Sequence, residues 1–221
     1  MNNKPALIMT AAVAVLAAIS LIFAAVILTK GNNGDSESNV TDDRSSATDD
    51  LINDAVPEEL FAVAQRLIRD NYEILRLFYL ISYDESHFEQ VYDNPPEAVN
   101  GYYILKRGVI DYETVDEIFA LVDSTLSQES AHSLKFGDSV QTGGNGSVYT
   151  ETDGKIGVNE LYQPLEYDLT WESVPVKLFP MGEGEYLIEI VLNGKDGDKV
   201  EKSMSMSDVG GGEWRLNSLI Y

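Results

Sequence analysis

The sequence predicts an α+β fold behind an N-terminal transmembrane helix, and three observations carry that prediction. Residues 6–28 contain no charge, apolar residues recur at helical spacing from Leu60 to about Leu134, and from Val148 onward short runs alternate with period two between glycine turns. Helices first and strands after give amphipathic helices packed on an antiparallel β-meander. The parts are residues 1–30 as an anchor, 31–54 as a disordered acidic linker, and 55–221 as one extracytoplasmic domain.

The uncharged run Ala6 to Leu28 has 23 residues, with Thr10 and Ser20 its only hydroxylated side chains. As a helix it spans about 35 Å, enough to cross a bilayer. A cleavable signal carries a shorter apolar region and a small-x-small site, whereas this run ends Val26-Ile27-Leu28-Thr29-Lys30, so an uncleaved single-pass anchor is expected. Lys4 and the α-amine precede the span and acids follow Lys30, which puts the body outside the cytoplasm. The chain has no cysteine, which excludes a lipoprotein and fits a single-membrane bacterium that does not rely on disulfides.

Residues 31–54 hold seven acids, one Arg and few apolar side chains, too little to offset ordering entropy. As a flexible chain they reach roughly 27 Å, holding the domain off the membrane.

Pro57-Glu58-Glu59 suits a first helical turn. Leu60, Ala64, Leu67, Ile68, Leu75, Phe78 and Ile81 then form the stripe of a helix running to about Ser82. Tyr83 to Asn100, with Asp93-Asn-Pro-Pro96, is too polar and too rich in breakers for a long element. After the Asn100-Gly101 turn, Tyr102 to Leu105 reads as a strand. Thr114 and Glu117 have the spacing of a capping box. The helix they open places Val115, Ile118, Phe119, Val122 and Leu126 on one face, and Ser127 starts a further turn through Leu134. Gly137 to Ser147 reads as a flexible loop. The later strands are Val174 to Leu178, Tyr186 to Leu192, Val200 to Met206 and Trp214 to Tyr221, separated by turns such as Asp153-Gly154, Asn193-Gly194 and Asp196-Gly197.

The net charge of −22, from 37 acidic and 15 basic residues among 221, repels phosphate backbones, so nucleic acid is not a partner. With two histidines and no cysteine, thiolate chemistry, iron–sulfur clusters and most zinc arrangements are excluded, and no metal or cofactor is expected. His87 and His132 read as surface or capping residues. The Gly143 to Ser147 run lacks the Lys and the helix of a phosphate loop, and no Gly-x-Ser-x-Gly elbow occurs. Carboxylates are too abundant for any pair, such as Glu183 and Glu185, to be informative. Composition thus points away from an enzyme.

Tyrosine is frequent, with 12 copies. Its amphipathic ring serves both sheet faces and contact surfaces. Tyr102, Tyr103, Tyr162 and Tyr167, with Glu166, Asp168 and Glu172, are the candidate partner-binding residues, and an acidic body with aromatic anchors suits a basic protein partner. Trp171 and Trp214 read as core anchors.

Gly101-Tyr-Tyr-Ile-Leu105, Asp111-Tyr-Glu-Thr-Val-Asp-Glu-Ile118, Asp153-Gly-Lys155, Leu169-Thr-Trp171 and Glu213-Trp-Arg-Leu-Asn-Ser218 together resemble the IseA family of bacterial DL-endopeptidase inhibitors, over about Leu60 to Tyr221. The resemblance implies a secreted or anchored protein that binds a cell-wall hydrolase and blocks it, and it assigns no inhibitory residue. The order of elements is also similar to NTF2-like cones, which would imply a ligand- or protein-binding module of the envelope around a curved sheet.

Overall fold

The computed structural model describes residues 56–90, 95–171 and 176–220, so the expected span at 6–28, the linker and Glu172 lie outside the described residues. Among the described residues no helix is long and apolar enough to cross a membrane.

Helix α1 (Glu58–Leu75) starts behind Pro57, whose carbonyl accepts from Leu60 N–H, with Glu58 and Glu59 at the positive end of the helix dipole. Its stripe Leu60, Ala64, Leu67, Ile68 and Leu75 is buried as the spacing requires. The expected run to Ser82 is interrupted, because Arg76–Leu80 forms a π-helical turn closed by Ile81 N–H on Arg76 O at 3.0 Å. Widening the ring by one residue leaves Leu77 O without its usual helical donor. A 3₁₀ turn, Glu85–His87, follows.

The structure has two antiparallel sheets. In the first, β1 (Tyr102–Ile104) and β2 (Tyr149–Thr152) flank β3 (Lys155–Asn159). The β2–β3 hairpin turns on Asp153-Gly154, with φ of 54° and 71°, the mirror-type turn that matches strand twist. Gly157 faces Tyr102 so closely that a Cβ there would lie 2.6 Å from Thr152 Oγ1 and 3.1 Å from Tyr102 Cβ. In the second sheet β4 (Val176–Gly182), β5 (Glu185–Asn193), β6 (Lys199–Asp208) and β7 (Trp214–Leu216) are neighbours in chain order. The strand-like half of the chain is therefore a hairpin that recruits the distant β1, followed by a separate meander, and the last strand is shorter than its sequence run.

Between β1 and β2 lie α2 (Val115–Thr125) and α3 (Gln128–Phe136). Thr114 Oγ1 accepts from Glu117 N–H while Glu117 Oε2 accepts from Thr114 N–H, the reciprocal cap that the spacing implied. Helix α1 packs on α2 and lies against β4 and β7. Buried between them are Ile118, Val122, Leu178, Ile188, Ile190 and Leu216. Buried Asn71 donates to Ile220 O and accepts from Ile220 N–H, both at 3.1 Å, which ties the end of the chain to α1. Trp171 is buried with its ring stacked on Tyr72 at 5.7 Å, whereas Trp214 is half-buried and meets Tyr186 edge-on.

Candidate functional site

A continuous row of aromatic rings joins the end of α1 to the first sheet. Centroids are 5.8 Å apart from Tyr162 to Tyr83, 5.9 Å from Tyr83 to Phe88 and 4.9 Å from Phe88 to Tyr103. Three backbone devices hold it. The 3₁₀ turn carries a reciprocal cap at its N-terminus: Asp84 accepts from Ser86 N–H, and His87 Nδ1 accepts from Asp84 N–H at 3.0 Å. The isolated bridge Phe88–Leu105 pairs the next residue with the end of β1. Strand alternation then sends Tyr103 to the side of Phe88 and Tyr102 to the other side, where its hydroxyl donates to Ser147 O at 3.3 Å.

Beneath the rings runs a hydrogen-bonded spine. Tyr149, fully buried on β2, donates to Leu77 O at 2.7 Å, the carbonyl that the π-turn leaves free. Since Tyr149 has one hydroxyl proton, Tyr83 supplies the proton in the 2.8 Å bond between the two hydroxyls. Burial disfavours the phenolate and pushes Tyr83 up to about 12. Burial likewise pushes Tyr149 and Tyr162 well above the ordinary phenol value. The Tyr162 hydroxyl is buried and has no hydrogen-bond partner among the described residues.

The rings wall an open cleft of about 270 Å³ that Pro96 and Pro164 also line, with exposed Asp84, Glu85 and Glu160 at its rim. Among the described residues no Lys, Arg or His lines it. The Asp84 carboxylate is held low by the Ser86 hydroxyl and amide that donate to it. The Glu85 and Glu160 carboxylates are exposed and have no ion-pair partner among the described residues. Nearby cations are engaged elsewhere: Lys106 donates to Ser86 O, and Lys155 forks onto Glu89 at 2.7 and 2.8 Å.

Beyond Pro164 the cleft continues into a shallow depression lined by Val140, Leu161 and Leu165, which are 85%, 49% and 43% exposed. The glycine-rich loop carrying Val140 contains a short 3₁₀ turn, Val140–Thr142, and bonds to itself. Gly144 N–H donates to Ser139 O, Thr142 Oγ1 donates to Gly146 O, and buried Asn159 donates from Nδ2 to Asn145 O at 2.8 Å. Gln163 N–H meets Gln141 O at 2.7 Å and holds the two walls together.

Of the residues singled out in the sequence, Tyr103 and Tyr162 meet in this cleft. Tyr102 lies behind it, and Tyr167 accepts from Trp171 Nε1 at 2.8 Å. Glu166 is exposed, and Asp168 pairs with Lys195 at 3.3 Å. Tyr83, Phe88 and Glu160 were missed, although Tyr83 and Phe88 flank the polar turn that broke the helix pattern.

Two groupings with the residue types of a catalytic site are held in other roles. Ser86 donates to Asp84 rather than to His87, so the local Asp, Ser and His make a capped turn and not a relay. Glu183 is an exposed turn residue, and exposed Glu185 accepts from Ser207. Among the described residues no group of three or more His, Asp or Glu side chains is disposed to hold a metal ion. No protein-family model matches the chain, and comparison with curated proteins finds no match.

Proposed function

We propose that this chain is a membrane-anchored, extracytoplasmic binding protein that inhibits or modulates cell-wall DL-endopeptidases, or another basic envelope protein, through the face that joins the tyrosine cleft to Val140, Leu161 and Leu165. The observation that carries the reading is the juxtaposition of three exposed aliphatic side chains with an acid-rimmed aromatic cleft on ordered loops. Exposed apolar groups beside aromatic anchors and a charged rim are the composition of a protein interface. Residues 55–221 carry 30 acidic against 12 basic residues, which speeds encounter with a basic surface. The resemblance to the IseA family supplies the partner class, and the uncharged run at 6–28 supplies the tether.

An NTF2-like module holding a small ligand is the weaker reading. It calls for one curved sheet around a deep apolar pocket, whereas the strands pair in two separate sheets and the cleft is open and bordered by carboxylates. The test is turnover of muropeptide substrate by a panel of DL-endopeptidases with and without the full-length chain in neutral detergent. Inhibition that falls at least tenfold in the Leu161→Asp, Leu165→Asp double variant is expected, and unchanged turnover across the panel overturns the proposal.

A further inference from the structure

We infer that the tyrosine cleft is a receptor for one arginine side chain of the protein partner. The inference rests on reading this face as a docking surface and adds what enters it. Four rings, from Tyr83, Phe88, Tyr103 and Tyr162, give flat apolar walls on which a planar guanidinium can stack. Glu85 and Glu160 stand at the rim with no cation of their own chain to neutralise them among the described residues. A guanidinium presents a rigid fork of donors that fits a carboxylate.

A lysine ammonium is a compact, strongly hydrated charge that stacks less well, and a neutral side chain would leave both carboxylates uncompensated. The cleft's volume of about 270 Å³ admits one long side chain and not a folded element. Arginine is also the cation most enriched at interface hot spots. This cleft therefore selects for charge and planarity together.

The test uses the full-length chain in neutral detergent with ring-¹³C-labelled tyrosine, titrated with the capped tripeptide Ac-Gly-Arg-Gly-NH₂. The controls are the same peptide with citrulline, which keeps the shape and removes the charge, and with lysine. Expected is saturable movement of the Tyr83, Tyr103 and Tyr162 signals with arginine, at least tenfold weaker with citrulline and several-fold weaker with lysine. Glu85→Gln with Glu160→Gln should weaken arginine binding at least tenfold while the buried Tyr149 signal stays in place, which reports an intact fold.

Equal binding of the citrulline or lysine peptide, or arginine binding that leaves these three signals unmoved, overturns the inference. No hydrolase enters the experiment, so a panel of unaffected hydrolases removes the proposed target without deciding the cleft, and a failed titration removes the arginine receptor without deciding inhibition.

Discussion

In the four-stranded meander the buried positions are Leu178, Ile188, Ile190, Leu192, Met204, Met206 and Leu216, without a polar atom beyond thioether sulfur. The three-stranded sheet buries Tyr149, Thr152 and Asn159 alongside Ile156 and Val158, and each of the three has a hydroxyl or amide to satisfy. The meander tolerates any side chains that fill the space, since apolar burial is non-directional. The smaller sheet must place hydroxyls and amides within hydrogen-bond reach, and the same requirement fixes the rings of the cleft. The demanding core therefore lies under the cleft, and the permissive core in the meander.

Four perturbations separate the two regions, beginning with the greatest effect. Ile188→Ala opens a cavity in the meander and should cost about 2–5 kcal/mol in urea unfolding while leaving the cleft's tyrosine signals in place until unfolding. Tyr149→Phe strands buried Leu77 O and removes the acceptor of Tyr83, at roughly 1–3 kcal/mol, and should also disorder the Tyr83 ring signal. A loss of stability without that ring effect would separate the spine from the cleft.

Gly157→Ala drives a methyl into Thr152 Oγ1 and should cost about 1–3 kcal/mol by thermal unfolding. Thr152→Ala in the same chain should recover part of that cost, because the oxygen it meets is gone. Tyr162→Phe should change stability by less than about 0.5 kcal/mol, since its hydroxyl has no bond to lose among the described residues.

Alkaline pH tests the smaller sheet by another route. Tyr83 keeps its proton to about 12 in the folded chain and to about 10 when unfolded. The unfolded form therefore loses its proton first. The Tyr83 contribution is complete below about pH 10 and disappears as pH rises toward 12. Tyr83→Phe should shallow the fall in urea midpoint over that window, and an unchanged slope would place the sensitivity elsewhere.

Much of the permissive region could be read from residue order alone. Ile188, Ile190 and Leu192 recur at every second position between two glycine turns, so period two announces both strand and buried face. Short-range signals were equally legible: Thr114 and Glu117 cap α2, and Asp153-Gly154 closes the first hairpin. The cleft was not legible in the same way. Its rings come from positions 83, 88, 103 and 162, and no periodicity links residues that meet only after β1 pairs with β3. Tyr102 and Tyr103 show the same limit, since composition makes them equivalent and one residue of strand alternation separates them. The break in α1 was hidden as well, because Arg76 to Leu80 contains no proline or glycine to announce it.

That wide turn sets an azimuth. One residue of α-helix corresponds to about 100° of rotation, so a chain shortened by a single residue between Arg76 and Leu80 would leave the helix pointing a quarter-turn or more away. Tyr83 would then face another side of the molecule, and the compass bearing of the first ring would be lost although every side chain of the cleft remained.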